Sequence, residues 1–326
     1  MRAPIRGAAV GSVVETPSRA GMQWRSGVEV GMPSRRDRDV SSLRSRWLGG
    51  RLRELREDRG LTLKYAASYL GVDYAELAHL EHGRRVFQFD KVAALLDLYG
   101  VLDRVERDHL LGLARFVFRL PQWQDDFAGP DLDVSMLDFL WLESIAQQIS
   151  CYGPVLVPPL LRTAEYAEAV VRRECEPVSD TQLGWWVRTH RERQQALDGG
   201  VTRVRTVLAE SVFRRPVGGP AGTLPGQLEH LAKLDGGDRV QMRVLPAEAA
   251  YVPWADGWFT VFGLPEPYPR QVACTGQQRS VAIHEGPVAE QYAALFDQLW
   301  GAALGPAESA AVIGRRAYDV AIDSTS

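Results

Sequence analysis

The sequence predicts two architectures in succession: an all-helical N-terminal domain, then a C-terminal α+β domain carrying a small sheet. Three observations carry this. Leucine and valine recur at helical spacing through residues 48–118, short Val- and Phe-rich runs replace that period from about residue 204, and a stretch rich in Pro, Gly, Gln and Asp (residues 121–130) interrupts the pattern between them. With 326 residues, 45% hydrophobic and 24% charged, the chain has apolar material for more than one core. No run approaches the roughly 18–20 apolar residues that a bilayer span needs, so no membrane partner is expected. Cys151, Cys175 and Cys274 are odd in number and widely spaced. That argues against a disulfide scaffold or a thiolate zinc site and fits a reducing cytoplasm.

Residues 1–47 are expected to be a disordered basic arm, with nine Arg against four Asp or Glu and no apolar core of a secretory signal. Met22 and Met32 also precede the first periodic segment, and translation from Met32 is the expected start. Residues 48–115 hold eleven charges of each sign, whereas the remainder is acidic, 18 positive against 26 negative. A basic arm on an acidic body points to phosphate as the electrostatic partner, a solvated tail being the plainer alternative.

Leu48, Leu52 and Leu55 define a first helix that Gly60 ends. Thr62 stands at an N-cap position before residues 63–70, and Gly71 supplies the turn. Asp73 and Glu76 form a capping pair ahead of Leu77 and Leu80. Helices over residues 89–99 and 103–118 complete the first domain, taken as residues 48–118, with a linker over 119–131. In the second domain, residues 132–315, helices are expected over 139–152, 161–174, 181–198, 224–234 and 288–304. Strands are expected over 204–208, 240–245, 259–262, 272–274 and 281–283, and residues 316–326 read as a tail.

Ala67, Gly71 and Leu77, with Leu70, Val72 and Leu80 around them, form the packing skeleton of a helix-turn-helix: a small residue at the crossing, a glycine in the turn, leucines anchoring the second helix. Residues 48–100, including "LREDRGLTLKYAASYLGVDYAELAHLEHGRR", resemble the helix-turn-helix domain of lambda-type and XRE-type repressors. That resemblance implies a salt bridge between Arg56 and Glu81. Further on, "CYGPVLVPPLLRTAEYAEAVVRR", "RERQQAL" and "VQMRVLP" resemble the C-terminal domain of WhiJ-like or Scr-type actinobacterial regulators. The resemblance implies a transcriptional regulator, antitoxin-like in working with a small cognate partner protein, and implies no enzymatic activity.

In such docking the second helix of the motif lies in the major groove while neighbouring groups hold phosphates. By position Tyr74, Ala75 and His79 would face bases, and Lys64, Arg84 and Arg85 would meet phosphates, helped by the amide of Leu63. Leu63 stands where the family usually has Gln, and Asp73, Tyr74 and Glu76 replace its common Ser, Arg and Thr. Binding to double-stranded DNA is therefore expected to lean on the basic arm and on salt. The usual pair of half-sites implies a homodimer at the nucleoid. The alternative is a protein-interaction module whose degenerate motif no longer holds specific DNA.

Other constellations are weaker. His79 and His82 lack a third ligand, so no metal is expected. Arg188, Arg191 and Arg193 are candidates for an anion or partner contact, or else the wet face of the stripe made by Leu183, Trp186, Val187, His190 and Leu197. Trp185, Trp186, Trp254 and Trp258 suit a core, with a ligand pocket as the alternative. Gly218, Gly219 and Gly222 sit in no phosphate-cradling sequence, and neither HExxH nor GxSxG occurs. A non-enzymatic protein without a cofactor is expected.

Overall fold

The computed structural model describes residues 41–126, 134–174, 176–199, 202–218, 222–234, 239–249, 252, 255, 257–277 and 280–323. Five helices come first: α1 (Leu43–Asp58), α2 (Leu63–Leu70), α3 (Tyr74–Glu81), α4 (Phe89–Leu98) and α5 (Arg104–Asp126). Helix α1 begins five residues before the first periodic leucine because Ser42 caps it, its hydroxyl accepting from the Ser45 amide at 3.0 Å. Residues 42–47, expected as the end of the arm, thus form the cap and first turn of a helix; residues 1–40 lie outside the described residues. Helix α5 continues through Pro121, which was expected to open a linker; a proline disfavours a helix interior without forbidding it.

The second region follows as α6 (Val134–Ile145), β1 (Gln148–Gly153), α7 (Ala164–Glu174), α8 (Asp180–Gly199), β2 (Arg203–Ala209), α9 (Leu224–Leu234), β3 (Val240–Leu245), β4 (Phe259–Gly263), β5 (Gln271–Gln277), β6 (Ser280–His284), α10 (Gly286–Ala302) and α11 (Pro306–Asp323). Short 3₁₀ turns cover Pro159–Leu161 and Glu210–Arg214. The strands form one mixed sheet in the order β3-β2-β1-β4-β5-β6. Its β1, β2 and β3 are parallel, and β4, β5 and β6 continue it antiparallel, β1 pairing β4 from Gln148↔Gly263 to Tyr152↔Phe259.

The sequence reading carried a helix through Tyr152; the helix ends at Ile145 and the next segment is the sheet's central strand. Ile145 and Ile149 mimic a helical stripe. In β1, however, every residue after Gln148 is buried, so the alternation that marks a half-exposed strand is missing. The expected tail likewise lies partly in α11, which packs Ile313 against Leu228, Leu231 and Val244.

Both sheet faces are covered. Tyr152, Val207, Phe259, Val261 and Ala273 pack under Ala289, Phe296 and Leu299 of α10. On the opposite face Ile149, Cys151, Phe262 and Cys274 meet Phe139, Trp141 and Leu142 of α6, in a core that runs on into Leu48, Leu52, Leu77 and Leu95 of the helical region. Burial pushes the Cys151 thiol up to about 12, so it stays protonated in the core. Among the described residues, no helix is long and apolar enough to cross a membrane.

Candidate nucleic-acid interface

Helix α3 takes its position from α1. A Cβ on Gly49 would stand 2.5 Å from the Leu80 carbonyl oxygen and 2.7 Å from that of Glu81, so the two backbones can approach only where a side chain is absent. Two turns later Arg56 reaches across. Its Nε donates to Glu81 Oε1 at 2.7 Å, its Nη2 to Glu81 Oε2 at 2.9 Å and its Nη1 to the Leu61 carbonyl at 2.8 Å. Both side chains are buried, at 8% and 2% exposure, and this is the pair that the family resemblance implies. The hydrogen bonds to Glu81 hold the Arg56 guanidinium above its ordinary pKa despite burial. Burial, with Glu81 nearby, pushes the Tyr99 hydroxyl well above the phenol range.

The motif's turn follows from local chemistry. Thr62 Oγ1 accepts from the Tyr65 amide at 3.2 Å and starts α2. Gly71, at φ 65° and ψ 30°, ends it in the left-handed region, its amide and that of Val72 returning to the Ser68 and Ala67 carbonyls. Ala67 and Leu77 are both buried at the crossing. Asp73 Oδ1 accepts from the Ala75 amide at 2.9 Å and caps α3. Glu76, expected to close a capping box with Asp73, instead meets Lys91 Nζ of α4 at 3.1 Å. Both carboxylates at the head of α3 are thus occupied, which lowers their cost beside a polyanion.

What remains open is the surface. Tyr74 is 57% exposed and Ala75 is exposed, both at the N-terminal end of α3, while His79 is half-buried one turn on. Lys64, Arg84 and Arg85 are exposed. Gly83, at φ 68°, turns the chain after α3 against the backbone of Arg46 and releases Arg84 and Arg85 from the helix. Sequence reasoning missed Tyr65 and Tyr69 of α2, which stand 55% and 53% exposed. Their signal was present: a helix whose small buried residues are Ala66 and Ala67 must turn positions 65 and 69 outward.

Sequence reasoning also missed a seam between the helical region and the sheet. At the first turn of α1, Arg44 Nε donates to Asp138 Oδ1 at 2.8 Å and the Leu43 amide to Asp138 Oδ2 at 2.6 Å. Arg46 Nη2 and Trp47 Nε1 both donate to Glu285, at 2.9 and 2.6 Å, just before α10. Trp47, Trp141 and Tyr268 pack edge to face or tilted, and His109 of α5 stands on Tyr268 with centroids 4.6 Å apart. Burial lowers the pKa of Arg44 and raises that of Asp138, their attraction only partly opposing it.

The arginines of α8 do not form one patch. Arg188 and Arg191 are exposed, but Arg193 turns inward and pairs with Glu143 of α6, Nε to Oε1 at 2.6 Å and Nη2 to Oε2 at 2.7 Å. His190 is buried with Nε2 3.0 Å from the Arg162 carbonyl, and burial lowers its pKa to about 4. The reason is the buried Glu143, a partner 50 residues away that helical spacing cannot reveal. Trp185 is buried and stands edge-on to Trp186, Trp258 lines a cavity at the end of β1, and Trp254 and Gly219 lie outside the described residues.

Two family models match the chain, one on each region. Residues 47–110 match a family model described as a helix-turn-helix domain. Among solved structures, the clp gene regulator ClgR from Corynebacterium glutamicum is 28% identical over 27% of this chain and 90% of its own, with a TM-score of 0.20. No curated protein matches. Residues 136–315 match the model of a domain of unknown function, DUF5753. As that model spans more than half of its length, the chain belongs to the DUF5753 family, with a helix-turn-helix domain preceding the shared region.

Proposed function

We propose that the chain is a DNA-binding transcription regulator of the XRE type, in which residues 48–118 read duplex DNA and residues 132–315 serve as a WhiJ-like or Scr-type regulatory domain. The observation that carries this reading is the head of α3: capped, braced from behind by Arg56 and Glu81, and exposed at Tyr74 and Ala75. A rigid helix open at its N-terminal end is what major-groove docking requires. Tyr74 and His79 each supply one hydrogen-bonding group and Ala75 a contact for a thymine methyl, at about 1–3 kcal/mol for a good base contact. Lys64, Arg84, Arg85 and the hydroxyls of Tyr65 and Tyr69 would take phosphates, and the arginines within residues 1–40 would add the larger salt-dependent share. The protein works as a homodimer in the cytoplasm, at the nucleoid, without a catalytic step or cofactor. Its regulatory domain answers a small ligand or a small cognate protein.

Selection from a random duplex library, then affinity against salt, tests this. A two-fold symmetric site bound far more tightly than its scramble is expected. Replacing Arg84 and Arg85 by Ala should weaken both and flatten the salt slope by about one per lost phosphate contact. One observation favours a second reading: Tyr65, Tyr69 and Tyr74 expose three aromatic rings on two adjoining helices, as a protein-binding face would. Under that reading the library yields no symmetric site, and Tyr69→Ala abolishes partner capture while Arg84→Ala does not.

A further inference from the structure

A cavity of about 850 Å³ opens beyond the C-terminal end of β1, where the parallel half of the sheet meets the antiparallel half. That is the size of a small-molecule site, roughly 300–1,000 Å³. Its walls are mainly apolar and aromatic, with Phe139 of α6, Tyr152 of β1, Trp258 and Tyr292 of α10 among them. Its rim is stiff. Pro154, Pro158 and Pro159 punctuate the turn after β1, which closes so tightly that a Cβ on Gly153 would lie 2.7 Å from the Leu156 carbonyl oxygen.

Among the described residues one cation lines this space. Arg162 is 6% exposed, and its Nε donates to the Val157 carbonyl at 2.7 Å, with the ring of Tyr166 6.0 Å from its guanidinium carbon. Its backbone is fixed from α8, the Arg162 carbonyl lying 3.0 Å from His190 Nε2 and accepting from Gln194 Nε2 at 2.6 Å. Among the described residues no carboxylate comes within 4.0 Å of it, and its Nη donors have no hydrogen-bond partner. Arg193, which lines a smaller pocket together with Arg162, is already paired with Glu143. A largely buried guanidinium whose Nη donors keep some contact with solvent can exchange that contact for an incoming anion. Burial has lowered its pKa to about 10, which still leaves it charged at neutral pH. Glu174 also lines the cavity, on its exposed side, and its charge and that of Arg162 attract one another without direct contact, so an incoming anion shares Arg162 with this carboxylate.

We infer that this cavity binds a small molecule with one anionic head, a carboxylate or its equivalent, on a largely apolar or aromatic body, the head pairing with Arg162 and the body lying against Phe139, Tyr152 and Trp258. Binding itself is independent of the regulatory role proposed above; its consequence for DNA rests on that role. Phe139 is next to Asp138, so the helix that walls the cavity also carries the seam to α1.

The test uses the full chain with three probes of one shape: decanoate, 1-decanol and decylammonium, each displacing the fluorescent anion anilinonaphthalene sulfonate. Decanoate should displace it at far lower concentration than the other two. Arg162→Met should weaken decanoate by about tenfold or more, the worth of a charge-assisted hydrogen bond, and leave 1-decanol unchanged. Should that variant fail to fold, Val155 decides, because it lines the cavity yet is 45% exposed. Val155→Glu should weaken decanoate and Val155→Lys should not. Equal displacement by acid and alcohol, preference for decylammonium, indifference to these substitutions, or no displacement would each overturn the inference. If decanoate binds as expected but leaves affinity for the selected DNA site unchanged, the ligand site stands and the regulatory reading fails.

Discussion

The two ends of α1 carry two buried ion pairs, and they are built differently. At the C-terminal end Arg56 meets both oxygens of Glu81 and a backbone carbonyl. At the N-terminal end Arg44 meets a single oxygen of Asp138, its Nη2 is buried without a partner, and its guanidinium carbon lies 5.5 Å from the ring centroid of Trp141. A buried pair repays its desolvation only when geometry is good and the remaining donors are satisfied. The first pair meets that condition and fixes α3; the second falls short and joins α1 to α6, the helix packed on the sheet. The ion pair that braces the motif is therefore better satisfied than the one that attaches it to its neighbour.

Substitutions can break this contrast. The largest effect is expected from Glu81→Ala, which strands a buried guanidinium and should lower stability by about 3–5 kcal/mol in urea unfolding followed at the helical region. A smaller, pH-gated effect is expected at the seam. Burial depresses the pKa of His109, against the opposing charge of Glu106. A folded-state value below the unfolded one means that its contribution is complete above about pH 6.5 and is lost as pH falls through the folded value. Acidification below pH 6.5 should loosen the His109–Tyr268 contact, and His109→Gln should flatten that part of the stability profile. The smallest effect is expected from Arg44→Met with Asp138→Leu, which replaces the under-satisfied pair by apolar groups and should leave unfolding within about 1 kcal/mol of the parent, the relief of two desolvated charges being offset by the Leu43 amide, which loses its acceptor. The matching double change at 56 and 81 should cost more, because there a pair bonded through both carboxylate oxygens is lost together with the donor to the Leu61 carbonyl. Equal costs at the two ends would end the contrast.

The same contrast separates what was legible in the chain from what was not. Thr62, Gly71 and Asp73 act on backbone groups within a few residues, so spacing alone located the turn of the motif. Arg56 and Glu81 are 25 residues apart and came through family resemblance. Asp138 is 94 residues from Arg44 and Glu285 is 238 from Trp47; each reads locally as an ordinary helix or loop carboxylate. Strand β1 was hidden because burial on both faces erases its period, and the tyrosines of α2 because exposure of an aromatic depends on what fails to cover it. Arg162 stood in a stretch quoted for its family likeness, yet no spacing could have announced that its donors face a cavity.

Trp47 and Trp141 stand with ring centroids 5.6 Å apart across the seam, crossing at 64°. Two indoles that close share their electronic excitation, and the oblique crossing makes that sharing optically active. The attachment of the helical region to the sheet therefore carries its own chiral signature in the near ultraviolet, which fades when the rings part. Docking can be followed in the unlabelled chain.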